Sequence, residues 1–280
     1  MSGRVARRLA GALLLTATAL AAGAAPSARI RVKGSDTMLL LARRWAEAFM
    51  ATHPGVAVEV DGGGTATGIR ALIAGDADVA AASRPLRPEE SQQLAERHGT
   101  LGYSVLTARD ALSVYVHPDN PVTDLSTASL RAVFTGAVRR WSELGGRGGE
   151  IVVLNRNPSS GTRLFFAEHV LGGEDYTRRD RVLATTAAIV EAVRQDPDAI
   201  GYGGIGVAEG VRLCTIDGVA PSAEHVRDGT YPIARYLYLY TAVPPRGAVK
   251  DFIDWVLGSE GQAVVAEVGY VALHGVAEVP

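Results

Sequence analysis

At 280 residues, 47% of them hydrophobic, the chain can bury a core large enough for one big domain or two lobes. Its formal net charge of −2 comes from interspersed signs with no basic run, which argues against a nucleic-acid partner. The basic side chains are nearly all arginine, Lys33 and Lys250 being the only lysines, and arginine's planar fork suits oxyanions.

Residues 1–28 read as an export signal. Arg4, Arg7 and Arg8 form the positive start, Leu9 to Leu20 the apolar run, and Ala21 to Ala28 a small-residue stretch with several cleavage registers. The run is short for a membrane span and has no stop-transfer pattern after it. Removing its three arginines takes the net charge from −2 to −5. The single cysteine, Cys214, excludes a disulfide within the chain, and no cysteine sits beside the signal to carry a lipid. A soluble periplasmic protein is expected.

Short β-branched runs alternate with amphipathic stretches, the pattern of an α/β fold with largely parallel sheets. Strands are expected at Ile30–Lys33, Val56–Asp61, Val79–Ala82, Ala111–Val116, Ile151–Leu154, Ile200–Tyr202, Val211–Ile216 and Tyr236–Thr241. Helices are expected over 38–52, where Leu41, Trp45, Ala48, Phe49 and Thr52 share a face, then from about Gly68, from Pro88, and over 127–134, 162–170 and 186–195. Two more helical stretches close the chain. Two α/β blocks joined by two extended crossings make a clamshell. One lobe would hold 29–110 and 242–280, the other 117–235, with crossings at 111–116 and 236–241; a single doubly wound sheet is the alternative.

Three segments share one format, in which a strand ends, a Gly/Ser/Thr loop follows and a helix begins. They are Gly34-Ser35-Asp36-Thr37, Gly62-Gly63-Gly64-Thr65-Ala66-Thr67-Gly68, and Arg156-Asn157-Pro158-Ser159-Ser160-Gly161-Thr162-Arg163. A helix start offers unpaired N–H groups and partial positive charge, so each is a potential anion seat. Each hydroxyl is equally a possible helix cap. Arg156 can grip two oxygens of a tetrahedral anion at once. Ser83-Arg84-Pro85, after the strand at Val79–Ala82, adds a hydroxyl and a guanidinium at a strand end; pairing of Arg84 with an acid such as Glu89 is the ordinary reading.

These segments resemble the phosphate-binding subunits of phosphate ABC transporters, the PstS-like proteins. The likeness continues through Trp141, Ile200-Gly201-Tyr202, Asp217 to Ser222, Tyr231 to Arg235, Gly258 to Gln262 and Gly269-Tyr270, in order along the chain. The resemblance implies a type II periplasmic-binding fold that closes over one phosphate. Ser35, Thr37, Thr65, Thr67, Arg156, Ser160, Gly161 and Thr162 would be donors, with Ser83 and Arg84 beside them. Many members carry an aspartate acceptor at the position of Arg84; here Asp36 would supply that acceptor or else cap its helix. The resemblance also implies a monomer that delivers phosphate to a membrane permease, with no cofactor.

Nothing else competes strongly. His53, His98, His117, His169, His225 and His274 show no metal-ligand spacing, and no Gly-x-Ser-x-Gly elbow marks a hydrolase. Sulfate, molybdate or tungstate binding, and a phosphatase-like hydrolase, are the alternatives. Tyr236, Tyr238 and Tyr240 alternate on one strand face and are expected to pack.

Overall fold

The computed structural model describes residues 26–274, so nearly all of the expected export signal lies outside the described residues. In chain order the first elements are β1 (Ala28–Gly34), α1 (Leu39–Thr52), β2 (Val56–Asp61), α2 (Thr65–Ala74), β3 (Val79–Ala82) and α3 (Pro88–His98). Next come β4 (Tyr103–Val116), β5 (Asp124–Leu125), α4 (Thr127–Thr135), β6 (Val152–Arg156), α5 (Gly161–His169), β7 (Arg181–Leu183) and α6 (Thr186–Gln195). The chain continues through β8 (Ala199–Gly204), β9 (Arg212–Leu213), β10 (Thr215–Ile216), α7 (Ala223–Arg227), β11 (Ala234–Thr241), α8 (Gly247–Leu257) and α9 (Ser259–Glu267).

One curled sheet runs β2-β1-β3-β11-β4-β8-β6-β7, with β9 also on β4 and a separate β5–β10 pair. β1 is parallel to β2 and β3. β6 is parallel to β7 and β8. Between these parallel groups the long strand β4 runs antiparallel to both neighbours. Its stretch from Tyr103 to Ala111 pairs with β11, and Leu112 to Val116 pair with β8. Apolar side chains collect on either side of that change of partner. One set is centred on Trp45, Phe49, Val79, Leu237 and Phe252, the other on Leu112, Phe134, Trp141, Phe166 and Tyr202. The result is an α/β clamshell of two lobes.

Local chemistry accounts for the helices. Leu41, Trp45 and Phe49, four apart, turn one face of α1 into the core, and the Trp45 indole donates to the Gly261 carbonyl at 2.8 Å, docking α9. Burying each such side chain is worth roughly 1.5–3 kcal/mol. α3 begins at Pro88, carries Glu89 and Glu90 in its first turn and Arg97 and His98 in its last, and stops at left-handed Gly99.

Elsewhere the structure departs from the sequence pattern for identifiable reasons. α2 begins at Thr65, not near Gly68. Gly68 is instead a contact point: a Cβ there would sit 2.3 Å from the Lys33 carbonyl oxygen and 2.5 Å from the Gly34 Cα. β4 starts eight residues before the expected Ala111, because Tyr103, Ser104 and Leu106 stay exposed and break the alternation that betrays a strand. The strand expected over Val211–Ile216 divides at Cys214, whose N–H bonds the Val114 carbonyl, so that β9 pairs with β4 and β10 with β5. Tyr236, Tyr238 and Tyr240 grade from exposed to buried, with Tyr238 and Tyr240 stacked at 5.5 Å.

Helix propensity by itself favours alanine over glycine by about 1 kcal/mol. Gly68→Ala is nevertheless expected to lower the urea midpoint, because the added methyl pushes α2 off β1; an unchanged or raised midpoint would contradict the close packing.

Candidate functional site

The strands β1, β2, β3 and β6 all deliver their carboxyl ends to one region, and α1, α2 and α5 start there. First-turn amides lack an acceptor one turn back; several here find one nearby, Leu39 on the Asp36 carbonyl, Ala66 on the Ser159 carbonyl and Arg163 on Ser160 Oγ. Hydroxyls meet among them. Thr37 Oγ1 lies 2.7 Å from Thr162 Oγ1, and Ser83 Oγ lies 3.4 Å from Thr162 Oγ1 and 3.3 Å from Thr65 Oγ1. The Ser83 amide also donates to Thr65 Oγ1 at 3.2 Å. All four residues are buried. Thr37, Thr65 and Ser83 come from the first lobe and Thr162 from the second.

Gly161 lets the lobes touch. A Cβ there would lie 2.4 Å from Thr65 Oγ1 and 2.9 Å from Ser83 Oγ, so the start of α5 presses directly on the hydroxyls. Ser160 is the cap of α5: its oxygen accepts from the Arg163 amide at 3.2 Å, leaving its O–H free to donate. Ser35 is buried with its amide on the Ala81 carbonyl at 2.8 Å.

Arg156, the last residue of β6, is 1% exposed. Its Nη1 donates to Thr186 Oγ1 at 2.7 Å; its Nη2 donates to Asp36 Oδ2 at 2.8 Å and to the Ala184 carbonyl at 3.0 Å. Nε is buried with no protein partner. Burial draws the Arg156 pKa down from its ordinary value, and the charge of Asp36 acts against that. Asp36 accepts a second bond, from the Gly63 amide to Oδ1 at 2.8 Å.

Two expected site residues do not join the cluster. Arg84 is buried, but its Nη1 and Nη2 grip Glu90 at 2.7 and 2.6 Å, and Nη1 also donates to the Pro85 carbonyl. A carboxylate in the first turn of α3 matches the guanidinium fork, so Arg84 serves its own lobe rather than an anion. Thr67 is half-exposed and accepts from Arg70 at 3.1 Å. Because α2 starts at Thr65, Thr67 is turned about 200° around the helix from it.

Other groups escaped the sequence reading. Thr186 and the Ala184 carbonyl hold Arg156, and they follow β7, a three-residue strand too short to show a period. Thr185-Thr186 at the start of α6 repeats the loop-to-helix format and was the available signal. Ser159 Oγ lies 2.6 Å from Asn157 Oδ1 and 2.9 Å from the Gly63 carbonyl oxygen, its one proton shared between them. The buried Arg235 donates from Nε to Asp110 Oδ2 at 2.9 Å and from Nη1 to the Ser83 carbonyl at 3.3 Å, tying the Ser83 loop to β4 and β11.

The cluster is rich in O–H and N–H donors with one guanidinium, a set suited to a small oxyanion. Among the described residues no group of three or more His, Cys, Asp or Glu is placed to hold a metal. His53, His98, His169 and His225 each bond a main-chain carbonyl rather than a site hydroxyl. A cavity of about 320 Å³ lined by Leu72, Ala77, Pro244 and Val249 contains none of these groups, so chemistry rather than volume marks the site.

Burial raises the Glu90 pKa, but hydrogen bonds from Arg84 and the Arg87 amide, with the charges of both arginines, bring it below its usual range. Its contribution to stability is therefore present above the ordinary glutamate range and lost as pH falls through the lowered value. Urea unfolding from pH 7 down to pH 3 is expected to show a stability loss that Glu90→Gln makes shallower; identical pH slopes would contradict it.

The PBP superfamily domain model matches residues 19–260. Over 263 residues the chain is 31% identical to phosphate-binding protein PstS of Pseudomonas aeruginosa, covering 86% of this chain and 81% of that one. Over 249 residues it is 31% identical to phosphate-binding protein PstS of Bacillus subtilis, covering 88% and 81%. Among solved structures it is similar to a Clostridium perfringens protein with bound phosphate, assigned as a phosphate ABC transporter substrate-binding protein, with TM-score 0.82, 29% identity, and 88% and 100% coverage. An ABC-type phosphate transport receptor from Vibrio cholerae gives TM-score 0.71 at 26% identity, covering 86% and 99%. With a fold, a donor-lined junction and sequence matches that extend across most of its length, the chain belongs to the PBP superfamily and, within it, to the PstS family of phosphate-binding proteins.

Proposed function

We propose that this chain captures inorganic phosphate between its lobes and delivers it to a membrane ABC permease, as a periplasmic monomer that performs no chemistry on its ligand. One observation carries the reading: hydroxyls of Thr37, Thr65, Ser83 and Thr162 from both lobes are buried within 2.7–3.4 Å of one another along the chain of contacts, against the start of α5. A tetrahedral anion inserted among them would be met by these hydroxyls, the Ser160 hydroxyl, the first-turn amides at Gly161 and Thr162, and Arg156 Nε.

Magnitudes suffice. Hydrogen bonds to a charged group are worth roughly 1.5–3 kcal/mol each. Micromolar affinity needs about 8 kcal/mol. Six or more bonds supply that after desolvation and closure costs, without a metal.

The lobes are proposed as 29–110 with 242–280, and 117–235. β4 changes partner at Ala111–Leu112 and β11 starts at Ala234 opposite Ala111, so the hinge is proposed there, at the start of β11 rather than along 236–241. The Arg-rich, apolar N-terminal stretch supports export, and among the described residues no helix is long and apolar enough to cross a membrane.

Calorimetry on ligand-stripped protein tests the reading. Phosphate is expected to bind one to one with micromolar or tighter affinity, and Thr162→Val to weaken it roughly tenfold, the worth of one hydrogen bond. Absence of phosphate heat, with sulfate or molybdate binding instead, would overturn it, as would turnover of a phosphomonoester.

A further inference from the structure

The position of Asp36 points to a role other than accepting a proton from the ligand. Both of its oxygens are engaged, Oδ1 by the Gly63 amide and Oδ2 by Arg156 Nη2, each at 2.8 Å. Backbone closes over it, since a Cβ on Gly62 would lie 2.6 Å from Oδ1. Asp36 follows β1 in the first lobe and Arg156 ends β6 in the second, and the two side chains are 4% and 1% exposed. The ion pair therefore spans the cleft.

Other bonds span the same side of the cleft. The Ala66 amide donates to the Ser159 carbonyl at 3.0 Å, and Ser159 Oγ lies 2.9 Å from the Gly63 carbonyl oxygen while also 2.6 Å from Asn157 Oδ1. Within its own lobe Arg156 is held by Thr186 and the Ala184 carbonyl. Asp36 takes Nη2 from the opposite lobe, and the guanidinium is thereby oriented with Nε as its unpartnered donor.

We infer that Asp36 is a latch and a positioning residue: its bond to Arg156 favours the closed form before ligand enters and fixes which nitrogen of Arg156 faces the site. Apparent affinity scales with the fraction of molecules already competent to bind, so loss of the latch weakens binding without loss of a ligand contact. Oxyanions of equal size lose affinity by the same factor, because the effect lies in closure and not in recognition. An acceptor role would instead move phosphate and sulfate apart, since a carboxylate rewards a protonated anion and repels an ionised one.

The affinity arm of this inference rests on the phosphate reading; the distance arm does not. Spin labels at the exposed positions Gln93→Cys and Glu174→Cys, one per lobe, report interlobe distance by electron–electron resonance, with Cys214 buried and unlabelled. Without phosphate the otherwise native chain is expected to show a closed population that Asp36→Asn depletes. Arg156→Met should deplete it equally, and the double variant no further. With phosphate, Asp36→Asn is expected to weaken binding about tenfold through faster release, with the phosphate-to-sulfate ratio unchanged. Circular dichroism of each variant confirms folding, and Asp36→Glu, which keeps the charge, should restore part of the closed population. Unchanged ligand-free distances in Asp36→Asn, or a shifted phosphate-to-sulfate ratio, would overturn the latch. Absence of phosphate binding by the unsubstituted site would overturn the function while leaving the distance result standing.

Discussion

Polar atoms removed from water need partners, and at the centre of this molecule the partners come from opposite lobes. Thr37 meets Thr162, Asp36 meets Arg156, and the Ser159 hydroxyl meets the Gly63 carbonyl. An unsatisfied buried polar group costs about 1–3 kcal/mol, and more if charged. Closing the cleft is therefore acceptable only where each group finds its counterpart, and that requirement fixes the relative seating of the lobes. The fold meets it by ending four strands at one place and starting helices there, so amides, hydroxyls and a guanidinium converge. Gly161 and Gly64 remove the side chains that would hold the lobes apart, the latter with an implied Cβ 2.6 Å from the Ser159 carbonyl oxygen.

Three buried arginines divide the labour. Arg84 with Glu90 stiffens the first lobe behind Ser83. Arg235 with Asp110 sits where β4 and β11 lie opposite one another and reaches the Ser83 carbonyl, so these two strands and a site loop share one ion pair. Arg156 alone pairs across the cleft. Buried pairs contribute little net stability, but removal of one partner leaves a stranded charge and costs about 3–5 kcal/mol. Their value here is geometric, because each pair admits one arrangement of the loops around the hydroxyls.

Much of this was legible in the residues. Val56–Asp61, Val79–Ala82, Pro88 and Thr186–Gln195 were placed at their observed bounds, because strong periodicity or a proline punctuates them. The strand–loop–helix format picks out Thr37, Thr65 and Thr162, whose hydroxyls the fold brings together, and Ser160 and Gly161 at the start of α5. It failed where a residue type has two uses. Gly68 suits a helix start and is instead a contact inside α2 against β1; Arg84 suits an anion and is paired with Glu90. Side-chain pairing of that kind depends on distances across the fold, which spacing along the chain does not encode. Thr186 was missed because its preceding strand, Arg181–Leu183, is too short and too exposed to show a pattern. The pairing of Asp36 with Arg156 is not legible, since nothing in Gly34-Ser35-Asp36-Thr37 reveals that a residue 120 positions away supplies an arginine.

The central claim is that donors from both lobes surround a single phosphate, and a crystal structure grown with phosphate tests it most directly. The expected density is one tetrahedral ion bonded to Thr37, Thr65, Ser83 and Thr162, to the first-turn amides of α5 and to Arg156 Nε, with Arg84 still on Glu90. Phosphate bound elsewhere, or held from one lobe only, would contradict it.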